Sequence, residues 1–208
     1  MTAFSPFITI QRALDTGPDQ NLKRFYRTAF AHRLTIALGK PVTHTDLKNE
    51  DSGRLILTPW PSVTLSVSHS GPWVAYSASP FAVWGIDLEV IPSRLDERNW
   101  DGIAKKAFWP KEYQDWVKIP ENQKVAAFLE LWVKKESSAK AHGLGIAHRP
   151  KELLWTWRDS AWHLDSGSAE KYHDFLLRKD AFYFNLFCSK SILDYFPDGL
   201  LPELEPGF

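Results

Sequence analysis

The chain has 208 residues, with Lys plus Arg equal to Asp plus Glu at 25 each. Balanced charge gives no global attraction to nucleic acid or to an anionic membrane surface, so any polyanion site must be local. Hydrophobic residues make up 44%, which excludes wholesale disorder and suits one large domain or two small, closely packed halves.

The N-terminus, "MTAFSPFITIQRALD", lacks a basic start followed by an apolar stretch, so no signal peptide is expected. No apolar run approaches the ~20 residues of a membrane helix. A single cysteine, Cys188, permits no internal disulfide, and it fits a reducing, cytoplasmic setting. Residues 19–38 carry apolar residues at helical spacing, with Leu22, Phe25, Ala29 and Phe30 along one stripe. Gly39 ends this helix and Pro41 blocks its continuation. Residues 42–61 read as loop with one short strand, "RLILT". "SVTLSVSHS", residues 62–70, alternates Val63, Leu65 and Val67 against Thr64, Ser66 and Ser68, the period of a strand. Gly71-Pro72 breaks it. "WVAYSAS" and "FAVWGIDLEV", separated by Pro80, are predicted to pair as the next two strands of an antiparallel meander.

A new regime begins at Pro92, which divides residues 1–91 from 92–208. A helical pattern over 98–118 is broken by Pro110. Residues 122–145 form the clearest helix, with Val125, Phe128, Leu129 and Trp132 at three- and four-residue spacing. Gly143 and Gly145 end it. "ELLWTWRDSAWHLDSG" is predicted to be a hairpin around Asp159-Ser160, and "DAFYFNLFCSKS" a last strand. The tail, "FPDGLLPELEPGF", is expected to be irregular. Helices beside antiparallel strands in both parts define an α+β fold.

The stretch "WGIDLEV", residues 84–90, places two carboxylates in an apolar strand. Ile86, Leu88 and Val90 share the core face, so Asp87 and Glu89 project together on the other. Like charges that close disfavour each other's ionisation, and a divalent cation is the first candidate to relieve them. On the 122–145 helix, Glu136 and Lys140 lie four apart on one face. That spacing is either a surface pair worth ~0.3–0.5 kcal/mol or a helix end dipping into a cleft below Trp132. In the second case Asp87, Glu89 and Glu136 supply three oxygen ligands suited to Mg²⁺, the usual partner of phosphoryl chemistry. His69, at the end of "SVSHS", is either a turn histidine hydrogen-bonded to backbone or a functional residue, a phosphate ligand or proton shuttle. Ser68, Ser70 and Gly71 around it suit anion binding. The chain has no HExxH, no G-x-S-x-G and no Walker A sequence.

"SVSHSG", "GIDLE" and "WVKKESSAK", in that order, resemble the 4′-phosphopantetheinyl transferase superfamily, in particular its monomeric, surfactin-synthetase-activating type. Upstream, "RFYRTAFAHR" is similar to that family's first helix, and Gly53-Arg54 stands where a Gly-Lys pair often precedes the Ser-His strand. The resemblance covers roughly residues 23–145 and implies two similar α+β halves, related by a pseudo-two-fold axis, with coenzyme A between them. It implies transfer of the 4′-phosphopantetheine group to a serine of an apo acyl or peptidyl carrier protein, with release of 3′,5′-ADP. Mg²⁺ would be held by Asp87, Glu89 and Glu136. Ser68, His69, Lys140 and Arg54 would contact phosphate, and Arg33 would sit by the adenine nucleotide. Glu136, Glu112 in "FWPKEY", or a water would take the serine proton. The family often has lysines just before its first helix for the 3′-phosphate; this chain has no basic residue just before Lys23, and Lys23, Arg24 and Arg27 are the candidates to substitute. Trp109 and Trp116 are read first as packing residues and second as carrier contacts. The rival readings are a coenzyme A or carrier-binding module without catalysis, and a Mg²⁺-dependent phosphohydrolase.

Overall fold

The computed structural model describes residues 4–12, 22–92, 99–143, 153–195 and 203–204. The chain runs through strand β1 (Phe7–Arg12), helix α1 (Leu22–Leu38), the short strands β2 (Leu47–Asn49) and β3 (Leu55–Leu57), then β4 (Thr64–Ser70), β5 (Trp73–Ser79) and β6 (Trp84–Val90). Helices α2 (Trp100–Ala107), α3 (Pro110–Trp116) and α4 (Glu121–Ala141) follow. After them come β7 (Trp155–Arg158), β8 (Ala161–Leu164), α5 (Ser166–Ala169), β9 (Tyr172–Arg178), β10 (Phe182–Ser189) and β11 (Glu203–Leu204). The fold is α+β.

Two sheets form the centre. The first has the order β11-β1-β5-β4 and the second β6-β10-β9. Side-chain alternation assigns each face of each sheet. On the first sheet, Phe7, Leu65, Val74, Tyr76 and Ala78 pack against Phe30, Ala31, Leu34 and Leu38 of α1. Ile8, Ile10 and Ala75 point the other way, onto Trp84, Ile86, Leu88, Phe182, Phe184, Leu186 and Cys188 of the second sheet. Tyr183 and Phe187, on the far face of β10, join the core that α4 shares with the β7–β8 hairpin. The layers are therefore α1, first sheet, second sheet, α4. One long helix on each outer face is consistent with two similar α+β halves. Burial in the inter-sheet layer pushes the Cys188 thiol up to about 12, with the Asp174 carboxylate adding to the effect. That keeps the thiol protonated and unreactive.

Several expectations hold in detail. Helix α1 ends at Gly39, whose φ is +62°, and α4 ends before Gly143, at +66°; both are left-handed positions that glycine fills without strain. Pro110 opens α3 as its first residue. The β7–β8 hairpin turns on Asp159 and Ser160, both at positive φ, the pattern of a type I′ turn.

The predicted meander needs correction. β5 pairs with β4 and β1, but β6 pairs with β10 over the full length from Trp84 to Val90. β6 therefore belongs to the second sheet, although it precedes Pro92 in the chain. The tail is not wholly irregular: Glu203 and Leu204 pair in parallel with Thr9 and Ile10.

Candidate active site

The alternation of β6 separates its residues as the sequence requires. Ile86 and Leu88 enter the inter-sheet core. Asp87 and Glu89 take the face that α4 crosses. Gly85 makes that crossing possible: a Cβ there would stand 2.2 Å from the Ser137 carbonyl oxygen and 2.4 Å from the Ala141 nitrogen. The helix backbone thus lies directly on the strand. Ser137, Ser138, Ala139 and Ala141 are buried there, and small side chains are what so close a contact needs. Asn185, opposite Asp87 in the β10 register, donates to Ser137 Oγ at 2.8 Å and ties the helix to the sheet.

With Ser137 and Ala141 on the strand, Glu136 and Lys140 turn toward the edge of β6. Both line a cavity of about 330 Å³ together with Tyr26 of α1, His69 of β4, Arg54 and Gly143. Arg54 is carried to it by a tight turn in which Gly53, at φ +85°, donates its N–H to the Glu50 carbonyl. His69 is exposed, with its ring against that of Tyr26 at 6.4 Å between centroids.

Asp87 is buried at 4% exposure. Its Oδ1 accepts from Ser68 Oγ at 2.7 Å and from Lys140 Nζ at 2.7 Å. Its Oδ2 is buried without a hydrogen-bond partner. Glu89 Oε2 accepts from Ser70 Oγ at 2.6 Å. Among the described residues, no three carboxylate, imidazole or thiol groups stand as a preformed ligand cage. The donor chemistry nevertheless fits a hard divalent cation, since the carboxylates are oxygen donors and one buried Asp87 oxygen lacks the partner such atoms normally have.

The structure thus brings Asp87, Glu136, Lys140, His69 and Arg54 to one region, with Glu89 beside it on β6. Four expected site residues lie elsewhere or are otherwise engaged. Arg33 has its guanidinium over the Phe7 ring, 5.4 Å from the centroid, and does not line the cavity. Glu112 is fully buried. It accepts the Trp109 N–H at 2.8 Å as the cap of α3 and pairs with Lys135. Ser68, expected at a phosphate, is buried and directs its hydroxyl to Asp87. Arg27 donates to the Leu47 carbonyl and to Asn49, so it braces the β2–β3 hairpin. Sequence reasoning missed Tyr26, Asn49 and Ser52 in the cavity wall, because nothing local marks loop and helix residues that meet only in the fold.

Two acidic residues thus stand on a strand, a Glu and a Lys on the helix across it, and a cavity lined by Arg54, His69 and Lys140 at their edge. Residues 84–188, just over half of the chain, match the model of the 4′-phosphopantetheinyl transferase superfamily, and the chain belongs to that family. The chain is 34% identical over 109 residues to 4′-phosphopantetheinyl transferase psf-1 of Bacillus pumilus, a match covering 52% of this chain and 44% of that protein. It is 28% identical over 142 residues to 4′-phosphopantetheinyl transferase Sfp of Bacillus subtilis strain 168, covering 62% and 59%. It is 38% identical over 93 residues to 4′-phosphopantetheinyl transferase gsp of Aneurinibacillus migulanus, covering 45% and 36%. In each case the match spans less than two thirds of the relative's length.

Proposed function

We propose that this chain transfers the 4′-phosphopantetheine group of coenzyme A to a serine hydroxyl of an apo acyl or peptidyl carrier protein, releasing 3′,5′-ADP, in a Mg²⁺-dependent reaction. The observation that carries the reading is the meeting of "SVSHS" and "WVKKESSAK" at one cavity, from whose wall Lys140 reaches Asp87 of "GIDLE", which keeps a buried, unpartnered oxygen. Asp87, Glu89 and Glu136 are the residues that would hold Mg²⁺. Bound there, it would offset the negative charge of the pyrophosphate and of its transition state.

The remaining steps fall to this chain's own side chains. Arg54, His69 and Lys140 line the cavity and would orient the phosphates of coenzyme A. The carrier serine oxygen bonds to the β-phosphorus as the bond from that phosphorus to the bridging oxygen breaks, and the electron pair leaves with 3′,5′-ADP. Glu136 lines the cavity and is the candidate acceptor of the serine proton, while Glu112 caps α3 and pairs with Lys135. Lys140 gains most as charge builds on the leaving oxygen, because a positioned cation is worth more in that transition state than in the ground state. The site draws on α1, β4, β6 and α4 of one chain, which supports a monomer as the working unit. The lone, buried thiol fits a cytoplasmic setting.

The deciding experiment is mass spectrometry of several apo carriers incubated with the chain, coenzyme A and Mg²⁺. At least one carrier is expected to gain the phosphopantetheine mass, and omitting Mg²⁺ should abolish the gain. Cleavage of coenzyme A with every carrier unmodified would mark a phosphohydrolase instead. Binding without any product would mark a module that has no catalysis.

A further inference from the structure

We propose that Ser68 and Ser70 are positioning residues that aim the Asp87 and Glu89 carboxylates at a divalent cation, an inference that rests on the metal reading above. β4 is an edge strand of the first sheet and β6 of the second. Their backbones do not pair. Instead, the N–H groups of Ile86, Leu88 and Val90 donate to the hydroxyl oxygens of Ser66, Ser68 and Ser70, at 3.0, 3.2 and 3.1 Å. Alternation on both strands gives this ladder a two-residue period.

Each rung fixes where its proton goes. A serine hydroxyl has one proton and two lone pairs. With one lone pair taken by a backbone N–H, the proton must point elsewhere. On Ser68 it reaches Asp87 Oδ1 at 2.7 Å, and the Leu88 carbonyl, the other acceptor in range, is 3.5 Å away. On Ser70 it reaches Glu89 Oε2 at 2.6 Å. Both are short, as hydrogen bonds to an ionised acceptor are. The backbone amide of residue n+1 thus holds the serine, and the serine holds the carboxylate of residue n. The first rung lacks a carboxylate, because position 85 is the glycine on which α4 rests. Holding Asp87 by Oδ1 leaves Oδ2, the buried oxygen without a partner, as the free ligand atom. This gives Ser68 a different task from direct phosphate contact: it is 6% exposed, and its single proton is already engaged.

Ser66 also lines the cavity, and it supplies an internal control for cation affinity, with the same backbone bond and no carboxylate. The test measures thermal melting and calorimetric titration with Mg²⁺ for the wild type, Ser66→Ala, Ser68→Ala and Ser70→Ala. All three variants are expected to melt lower, since each orphans one amide of β6. Ser68→Ala and Ser70→Ala should also bind Mg²⁺ about 10-fold more weakly, the usual effect of losing a partner that orients a ligand. Ser66→Ala should keep the wild-type affinity, and Ser70→Thr, which retains the hydroxyl, should restore it. Ser70 is partly exposed, so Ser70→Ala decides the matter alone if the buried Ser68→Ala does not fold. Unchanged affinity in Ser70→Ala, or an equal loss in Ser66→Ala, would reduce the ladder to a structural seam and overturn the proposal. A wild type that takes up no Mg²⁺ would overturn the metal reading itself, an outcome distinct from the other two.

Discussion

Lys140 stands four residues after Glu136, the spacing of a helical ion pair, yet its ammonium sits 2.7 Å from Asp87, 53 residues away in the chain. The buried carboxylate explains the choice. An aspartate at 4% exposure needs a compensating charge, and Lys140 is the cation that the α4 crossing delivers to it. The residue types at this site were legible in the sequence, while their partners were not, because partners depend on which elements cross. Glu112 shows the reverse case. Pro110 and Glu112 in "WPKE" already carry a helix-start pattern, Pro at the first position and Glu at the third, which marks the cap that the structure shows. The Asp87–Lys140 pair yields a test with two opposite signs. Lys140→Ala should lose ~10²-fold or more in kcat, because a cation beside the leaving oxygen is gone. The same variant, without coenzyme A, should bind Mg²⁺ more tightly, since no ammonium competes for Asp87. Lys140→Arg should restore kcat only in part, as a planar fork does not reproduce a compact ammonium. Steady-state kinetics with an apo carrier and Mg²⁺ calorimetry check both signs; near-normal kcat would remove Lys140 from the site.

At the scale of elements, periodicity was the readable signal. It gave α1, where one face is buried and the other is not, and it gave β4 and α4, which are buried on both sides over most of their length, because their apolar residues still recur at strand and helix spacing. It failed for β1, whose run from Phe7 to Gln11 is buried on both faces, and for β9, whose residues from Tyr172 to Leu177 are all half-buried; neither pattern alternates. The partner of β6 was also hidden, because the serines that replace a backbone ladder between β4 and β6 look in sequence like the polar face of an ordinary strand. The contact that matters most for the site is α4 on β6. Gly85→Ala would press a methyl group onto backbone atoms 2.2 and 2.4 Å away, which cannot swing aside as the end of a long side chain does. The helix must move, and Glu136 and Lys140 move with it. Overpacking of this kind costs ~1–3 kcal/mol, occasionally more. Circular dichroism should show a lower melting temperature in Gly85→Ala, and the folded fraction should bind Mg²⁺ more weakly. A variant with wild-type melting and wild-type affinity would show that the crossing tolerates a wider gap.

For the whole molecule, the question is whether two helix-and-sheet units melt separately or as one. The chain's own order suggests separation, with a change of regime at Pro92. The packing argues against it. β6 precedes Pro92 yet is hydrogen-bonded along its length to β10. β11 returns from the tail to β1. Ile8, Ile10 and Ala75 of the first sheet share one dry layer with Ile86, Leu88, Phe182, Phe184 and Leu186 of the second. Separating the sheets would expose that layer on both sides and strip the β6 amides of their serine acceptors, so neither sheet has a stable surface of its own to retreat to. Unfolding should therefore be a single calorimetric transition whose van't Hoff and calorimetric enthalpies agree. Phe184→Ala probes the shared layer directly, because this fully buried ring lies between the sheets and does not line the cavity. Truncating a buried phenylalanine costs ~3–5 kcal/mol. At roughly 2–4 °C per kcal/mol for a chain of this size, the whole transition should fall by about 6–20 °C without splitting. Two resolved transitions, only one of them moved by Phe184→Ala, would mean that the sheets are separate cooperative units and that the site lies on a hinge rather than on one rigid frame.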